Sequence, residues 1–342
     1  MPDRTRPNAG VTLLDVAREA GVHPSTVSRA LDPRQQDRVK EPTRARIVDV
    51  ANRLGYRPHL VARGLQSGRT ATVGVIAADL GNTFVTPIIH GLTSAIEAVG
   101  LLPLIAETQD DHQRLGVILD HMLSRRVDAI VVAAARAGDK DILESAGRVV
   151  PVIIAARPLD DTVLPQVIHD DERGARLAAE HFYDLGHRLV AQLRGPADVA
   201  NFSRRAVGFS DFCEAMRMEE VEVPERGHTP SIEEGERLAR ALVERGGPLP
   251  TAIFAHNDLM AIGALSVLRT AGLRVPGIVS LVGYNDLPMV GQIDPPLTTV
   301  LYPSLEVGKM AGEMVSQLLS GEHPPDHTLE PVLVIRASTR TV

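Results

Sequence analysis

VTLLDVAREAGVHPSTVSRAL, residues 11–31, decides the reading of the chain, because it holds two short amphipathic helices that meet at a glycine. Thr12, with Asp15 three residues on, has the spacing of a capping box with a short acid, and Leu13, Val16, Ala17 and Ala20 then share one helix face. Gly21 closes that helix. Pro24 suits the first turn of the next, where its missing N–H costs nothing, and Val27, Ala30 and Leu31 fall on one side of it. Ser25, Ser28 and Arg29 lie on the other side. A small apolar face, a hydroxyl-and-guanidinium outer face and a partner at a tight turn make the pattern of a helix-turn-helix, whose second helix enters the DNA major groove. An ordinary αα-hairpin has the same outline. A third helix is predicted over 43–54, with Ile47, Val50, Ala51 and Leu54 on one side, and three such helices can close one core and leave the second helix's polar face outward.

Charge points the same way. Residues 1–70 hold 13 Lys and Arg against 7 Asp and Glu, whereas the remainder holds 23 against 36. A basic head on an acidic body argues for a polyanion at the head. At 342 residues and 44% hydrophobic, the chain has material for two or more domains. No apolar run of signal-peptide length precedes Val11 and no stretch of 18 apolar residues occurs, which predicts a cytoplasmic, soluble protein with no membrane partner. The only cysteine, Cys213, sits among Phe209, Phe212 and Met216, so disulfides and thiolate metal sites are excluded and a buried, inert thiol is expected.

Residues 60–70 alone read as a flexible linker, since a helix over Leu60–Leu65 would be under two turns long and contain Gly64. Beyond them, short apolar runs at 72–77, 102–106, 129–134, 149–155, 189–193, 252–255 and 280–283 alternate with helical patterns at 86–99, 113–126, 172–185, 205–216, 232–245, 258–270 and 304–319. That alternation predicts an α/β body of doubly wound parallel sheets, and there are too many units for one small sheet, so two similar lobes are expected. Ligands in such folds bind beyond the carboxyl ends of the strands. There lie Asp79, Asn82, Thr83 and Phe84, then His256, Asn257 and Asp258, then Tyr284, Asn285 and Asp286, with Arg205 opening a helix. Amides, carboxylates, a guanidinium and an aromatic ring suit a small polyhydroxy or purine-like ligand. Singly, each Asp or Asn is also a good helix N-cap, and Asp258 reads better as a cap than as a ligand contact. His169-Asp170-Asp171 and His256-Asn257-Asp258 lack the spacing of convergent metal ligands, so no metal is expected. No GxSxG elbow, P-loop or GxGxxG follows the first strand, which leaves neither an enzyme activity nor a cofactor to expect.

From Val11 to about Arg340 the sequence resembles the LacI-type transcriptional regulators: a helix-turn-helix head joined to an effector domain like the periplasmic sugar-binding proteins. The resemblance rests on residues 11–31 and on LGYRPHLVARGL at 54–65, supported by VGVI at Val73, RRVDAIVV at Arg125, AEHFYDLGHR at Ala179, RRAVGF at Arg204, AHNDLMAIGAL at Ala255, LVGYNDLP at Leu281 and PPLTTV at Pro295. It implies a homodimer that reads a pseudo-palindromic operator in double-stranded DNA, most simply a repressor, controlled by a sugar or sugar derivative held between two lobes. The implied domains are 1–57 for the head, 58–70 for a hinge helix and linker, and 71–342 for effector binding and dimerisation. The lobes within the last are about 71–170 with 302–331, and 171–301 with 332–342. Carried over by position, Pro24, Ser25 and Arg29 face base edges, Arg29 having the fork that suits guanine. Thr12, Thr26, Ser28 and Tyr56 touch phosphates or fix orientation. The segment read as a linker becomes a hinge helix that orders on DNA, with Leu65 wedged into a base step. The implied effector site is Asn82, Phe84, Asp170, Asn201, Arg205, Asn257 and Asn285, with Tyr302 as a flat wall. No leucine heptads follow Arg336, so a dimer is expected rather than a tetramer.

Some residues depart from the pattern. His23 and Lys40 stand at helix starts where relatives commonly have Ser, which predicts weaker caps. Pro24 offers no polar group, so one base contact is missing. Ala156 and Asn285 stand where many relatives have Asp, and the loss of two carboxylates predicts a cleft better suited to a phosphorylated sugar or sugar acid than to the neutral parent. A solute-binding transport protein shares the two-lobed body, but the basic head argues against it, while a regulator governed by a protein partner stays open.

Overall fold

A computed structural model of the chain describes residues 11–31, 36–56 and 69–342. Arg57 and the segment with Leu65 lie outside the described residues, so the hinge-helix expectation does too. Residues 1–70 and 71–342 form separate compact units.

In the first unit, α1 (Leu13–Ala20), α2 (Pro24–Ala30) and α3 (Glu41–Leu54) enclose a small core of Val16, Ala17, Ala20, Val27, Ala30, Ile47, Val50 and Ala51. The capping box forms: the Asp15 N–H donates to Thr12 Oγ1 at 3.3 Å and the Thr12 N–H to Asp15 Oδ2 at 3.0 Å. The Thr12 hydroxyl and N–H hold the Asp15 carboxyl below its ordinary pKa. Gly21 then reverses the chain at φ 62°, the left-handed conformation that favours glycine at a helix end. The weak-cap expectation holds for Lys40, which makes no side-chain cap bond, but not for His23. His23 Nδ1 accepts the Ser25 N–H at 3.2 Å, so the imidazole does what a serine hydroxyl would do. The third helix begins two residues earlier than predicted because Pro42 fits its first turn. Tyr56 packs against the core just beyond it, and burial raises its phenol pKa.

In the second unit, two six-stranded sheets are built on one plan. The first takes β1 (Thr72–Ala77), β2 (Leu102–Glu107), β3 (Ala129–Ala133), β4 (Val152–Ala155), β5 (Gln166–His169) and β11 (His327–Leu329) in the order β11-β5-β4-β3-β1-β2. The second takes β6 (Leu189–Leu193), β7 (Glu219–Val221), β8 (Ala252–Ala255), β9 (Ser280–Asn285), β10 (Thr298–Leu301) and β12 (Val332–Val334) in the order β12-β10-β9-β8-β6-β7. Pairing is parallel except between β10 and β12. Strands β3, β4, β8 and β9 are buried throughout, as parallel strands covered on both faces must be. The covering helices are α4 (Val85–Glu97), α5 (His112–Ser124), α6 (Lys140–Gly147), α7 (Asp171–Asp184), α8 (Ala200–Ala215), α9 (Ile232–Glu244), α10 (Asp258–Thr270) and α11 (Ser304–Leu319).

The chain passes from one lobe to the other between β5 and α7, between β10 and α11, and between β11 and β12. Helices α4 and α11 cross so closely that a Cβ on Gly91 would overlap the Leu305 carbonyl oxygen, and one on Gly308 the Ile88 carbonyl oxygen. The sequence patterns omit β5, β7, β10, β11, β12 and α6, and start β4 three residues early. These strands have three or four residues each, too few to show a period. Among the described residues no helix is long and apolar enough to cross a membrane.

Candidate functional site

The outer face of α2 presents Ser25 and Arg29 to solvent, with Pro24, Thr26 and Ser28 half-buried beside them. Among the described residues the Arg29 guanidinium has no hydrogen-bond or ion-pair partner, so its donors are unspent. Ser25 Oγ sits 2.8 Å from His23 Nδ1, and Thr12 is engaged in its cap. A free guanidinium fork beside hydroxyls on an exposed helix suits base edges and phosphates.

The second candidate is a cleft of about 400 Å³ within residues 71–342, between the carboxyl ends of both sheets. Its lining includes Asn82, Phe84, Asn201, Arg205, Asn257 and Asn285, which the structure brings together from four separate segments. Asn82 Oδ1 accepts the Phe84 N–H at 3.0 Å, a turn that sets Phe84 at the head of α4. The two remaining expected residues stand elsewhere. Tyr302 lies behind Phe84, its ring 4.8 Å away and edge-on, and its hydroxyl donates to the Ala156 carbonyl at 3.0 Å. It backs the aromatic wall and is not among the residues lining it. Asp170 spends its carboxylate on the Arg173 N–H at 2.9 Å, capping α7, and does not line the cleft.

The neighbouring acid, Asp171, does not line the cleft either, but it holds two residues that do. Asp171 is fully buried at the first position of α7, where Oδ1 accepts Arg205 Nε at 2.8 Å and Oδ2 accepts Asn201 Nδ2 at 2.6 Å. Burial, the largest single influence, pushes its carboxyl up, but the Arg205 guanidinium and the His169 ring, whose Nδ1 lies 3.9 Å from Oδ1, together hold it below its ordinary range. Arg205, 3% exposed, also donates from Nη1 to the His256 carbonyl and lies over the Tyr284 ring at 3.6 Å. Nη2 has no protein partner among the described residues, and Arg205 lines the cleft. In an Asp-Asp pair at a helix start, one carboxylate caps and the other is free to pair. Periodicity cannot say which.

His256 serves the site without lining it. Its Nε2 donates to Gln192 Oε1 at 2.7 Å and its Nδ1 accepts the Gly195 N–H at 3.3 Å, a pattern that fixes the neutral ring. Burial first, and then the nearby Arg205, put its pKa well below the usual histidine value. Its ring stacks parallel to Phe202, a second aromatic on the cleft wall. Asn257 has both ends of its amide engaged, with Oδ1 capping Met260 N at 2.7 Å and Nδ2 donating to the Pro230 carbonyl at 3.0 Å. Asn285 is the opposite case. It is 9% exposed, its backbone stands at φ 118°, and Oδ1 is a buried acceptor with no partner. Gln109, Asp110 and Ala156 also line the cleft with left-handed backbones, at φ 55°, 56° and 66°. Strain of this kind gathers where a fold must aim groups at a ligand.

The lining lacks the excess of positive charge that the expectation of an anionic ligand calls for. Both guanidiniums on the lining are already matched: Arg205 by Asp171, and Arg157 by Asp110 at 2.5 and 3.4 Å. Asp79 and Glu107 add negative charge to the same walls. Replacing two carboxylates by Ala156 and Asn285 therefore leaves no excess of positive charge.

Asp258 is a core carboxylate rather than a ligand contact, and it holds the Asn285 turn. Oδ1 accepts the Thr299 hydroxyl at 2.6 Å and Oδ2 the Leu287 N–H at 2.8 Å, with the Asp286–Arg336 pair close by. Burial pushes its pKa up from 3.8 to about 7. An acid raised in this way binds its proton more tightly in the folded chain. Its contribution to stability is therefore fully present below the unfolded pKa and is lost as pH rises through about 7. The melting temperature of the unaltered chain should fall more between about pH 5 and pH 8 than that of Asp258→Asn, whose site cannot ionise. Equal falls in a calorimetric series would refute the assignment. Cys213 is buried as expected, its thiol pushed up to about 12 by burial and by Glu220.

Comparison with known proteins bears on both sites. Residues 12–59 match the family model "Bacterial regulatory proteins, lacI family", and residues 179–339 match a periplasmic binding protein-like domain. The chain is 29% identical over 337 residues to the HTH-type transcriptional repressor CytR of Escherichia coli strain K12, covering 97% of each. It is 30% identical over 340 residues to the HTH-type transcriptional regulator DegA of Bacillus subtilis strain 168, covering 96% of this chain and 98% of the other. Among solved structures, a Lac repressor dimer bound to operator and the anti-inducer ONPF superposes with a TM-score of 0.87 at 27% identity, covering 96% of this chain and 99% of that one. The chain belongs to the lacI family of bacterial regulatory proteins and is a DNA-binding transcriptional regulator with a periplasmic-binding-protein-like body.

Proposed function

We propose that this regulator is a homodimeric, cytoplasmic repressor. In this reading Arg29, Ser25 and Pro24 face the base edges of a pseudo-palindromic operator, while Thr12, Thr26, Ser28 and Tyr56 face the backbone. A neutral, polyhydroxylated small molecule with a flat face governs it from the cleft. Support for the head is the unspent guanidinium of Arg29 on the exposed face of α2 within a basic segment. Support for a neutral ligand is the pairing of both lining guanidiniums, together with the unpartnered Oδ1 of Asn285, which asks for an O–H or N–H from whatever binds. Phe84 and Phe202 supply apolar surface for a sugar's C–H face or a flat ring. That a Lac repressor dimer was solved with operator and a small molecule together fits the same scheme.

In this mechanism the ligand changes the angle between the lobes. The angle sets whether residues 58–70 of the two subunits, Leu65 among them, come together and order on DNA. The test begins with selection of duplexes from a random pool. Arg29→Ala should then weaken binding to the selected duplex by about 1–3 kcal/mol while leaving competitor binding nearly unchanged. A uniform loss on all sequences would show that Arg29 meets phosphate only. Calorimetry with pairs of neutral and phosphorylated sugars tests the cleft, and a preference for the anionic member would refute the neutral-ligand reading.

A further inference from the structure

Two ion pairs at the rim of the cleft join the lobes without lining it. Arg136 follows β3 in the first lobe, and Asp198 lies in the loop between β6 and α8 in the second. The Arg136 guanidinium pairs with Asp198 through Nη1 and reaches Asp110 through Nη2 at 3.3 Å, while Asp110 holds Arg157 on the cleft wall. Next to Arg136, the Ala137 N–H donates to the Asp198 backbone carbonyl at 3.1 Å, across the lobe boundary. A second cross-lobe pair joins Arg204 of α8 to Asp160, in the loop between β4 and β5, at 2.5 Å. The two pairs flank the cleft wall, because Arg157 and Arg205, the neighbours of Arg136's chain and of Arg204, line it.

We propose that Arg136–Asp198 and Arg204–Asp160 are a latch that holds the two lobes together, and that Arg136, through Asp110, positions Arg157 as the latch closes. The alternating order Arg157, Asp110, Arg136, Asp198 makes closure and the placing of a cleft guanidinium one event. Both pairs are partly exposed, with Asp198 and Asp160 more than half accessible, so the latch is weak and yields to salt.

The Ala137 amide gives a direct reading, because its acceptor is a backbone carbonyl that survives any side-chain change at 198. Hydrogen exchange is followed on the full-length, ligand-free protein. In Asp198→Asn, exchange of the 134–141 peptide should rise about two- to five-fold, and further when Asp160→Asn is added. Asp198→Glu should restore protection. Exchange of β3 should stay unchanged throughout, which separates lobe opening from loss of fold. Unchanged protection of that peptide in the double variant overturns the proposal. If the double variant also loses β3 protection, the unaltered chain decides. No rise in Ala137 exchange between about 0.05 and 1 M NaCl overturns the latch equally, and a rise confined to that peptide supports it.

Discussion

Arg205→Ala is expected to destabilise residues 71–342 by about 3–5 kcal/mol, in addition to abolishing any response to ligand. The reason is Asp171. With its guanidinium partner gone, a carboxylate with 0% exposure keeps the Asn201 amide and the His169 ring at 3.9 Å but loses the strongest charge that holds it ionised. It must then take up a proton or draw water into the core. Urea unfolding followed by far-UV circular dichroism measures the loss. The double variant Asp171→Ala with Arg205→Ala should recover a large part of it, since neither charge is then left alone. A single variant that loses less than about 1 kcal/mol would show that Asp171 has another partner able to carry its charge. Loss of ligand response in Arg205→Ala should therefore be judged at a temperature where the variant is still folded.

The second large effect is expected at the crossing of α4 and α11. Gly308→Ala places a methyl where the Ile88 carbonyl oxygen lies, and backbone cannot swing aside as a side chain can. The helices must separate, at a cost of about 3 kcal/mol. Gly138→Ala is the control, since nothing lies within 4 Å of a Cβ there. If both variants melt alike, the crossing is looser than its geometry states. The disturbance should also reach the cleft, because Phe84 opens α4 and Tyr302 precedes α11.

How far the sequence alone reached depended on what kind of information each residue carries. The head was legible because its helices are long enough for 3.6-residue periodicity and are bounded by Gly21 and Gly55. The α/β alternation was legible because buried parallel strands are nearly continuous apolar runs, as in AIVVA at Ala129–Ala133. Part of the cleft, Asp79, Asn82, Phe84, Arg205, Asn257 and Asn285, followed from looking just past strand ends. What escaped were consequences of pairing in three dimensions. Asp170 and Asp171 are alike in sequence and differ only in which one points at Arg205, thirty-four residues later. Tyr302 is apolar wall or backing according to where Phe84 sits, and the charge of the cleft depends on which guanidiniums already have partners. His23 capped through its ring nitrogen, a role that helix-start statistics assign to hydroxyls and carboxylates.

The threefold passage of the chain between sheets has a bearing on how such a molecule can be rebuilt. Because β11 closes the first lobe with a segment that arrives after the second is nearly complete, neither lobe is a contiguous piece of sequence. A chimera that borrows the second lobe from a relative needs three junctions, and a chain truncated before β11 lacks edge strands in both sheets. The head, by contrast, is one uninterrupted stretch and can be traded with a single splice.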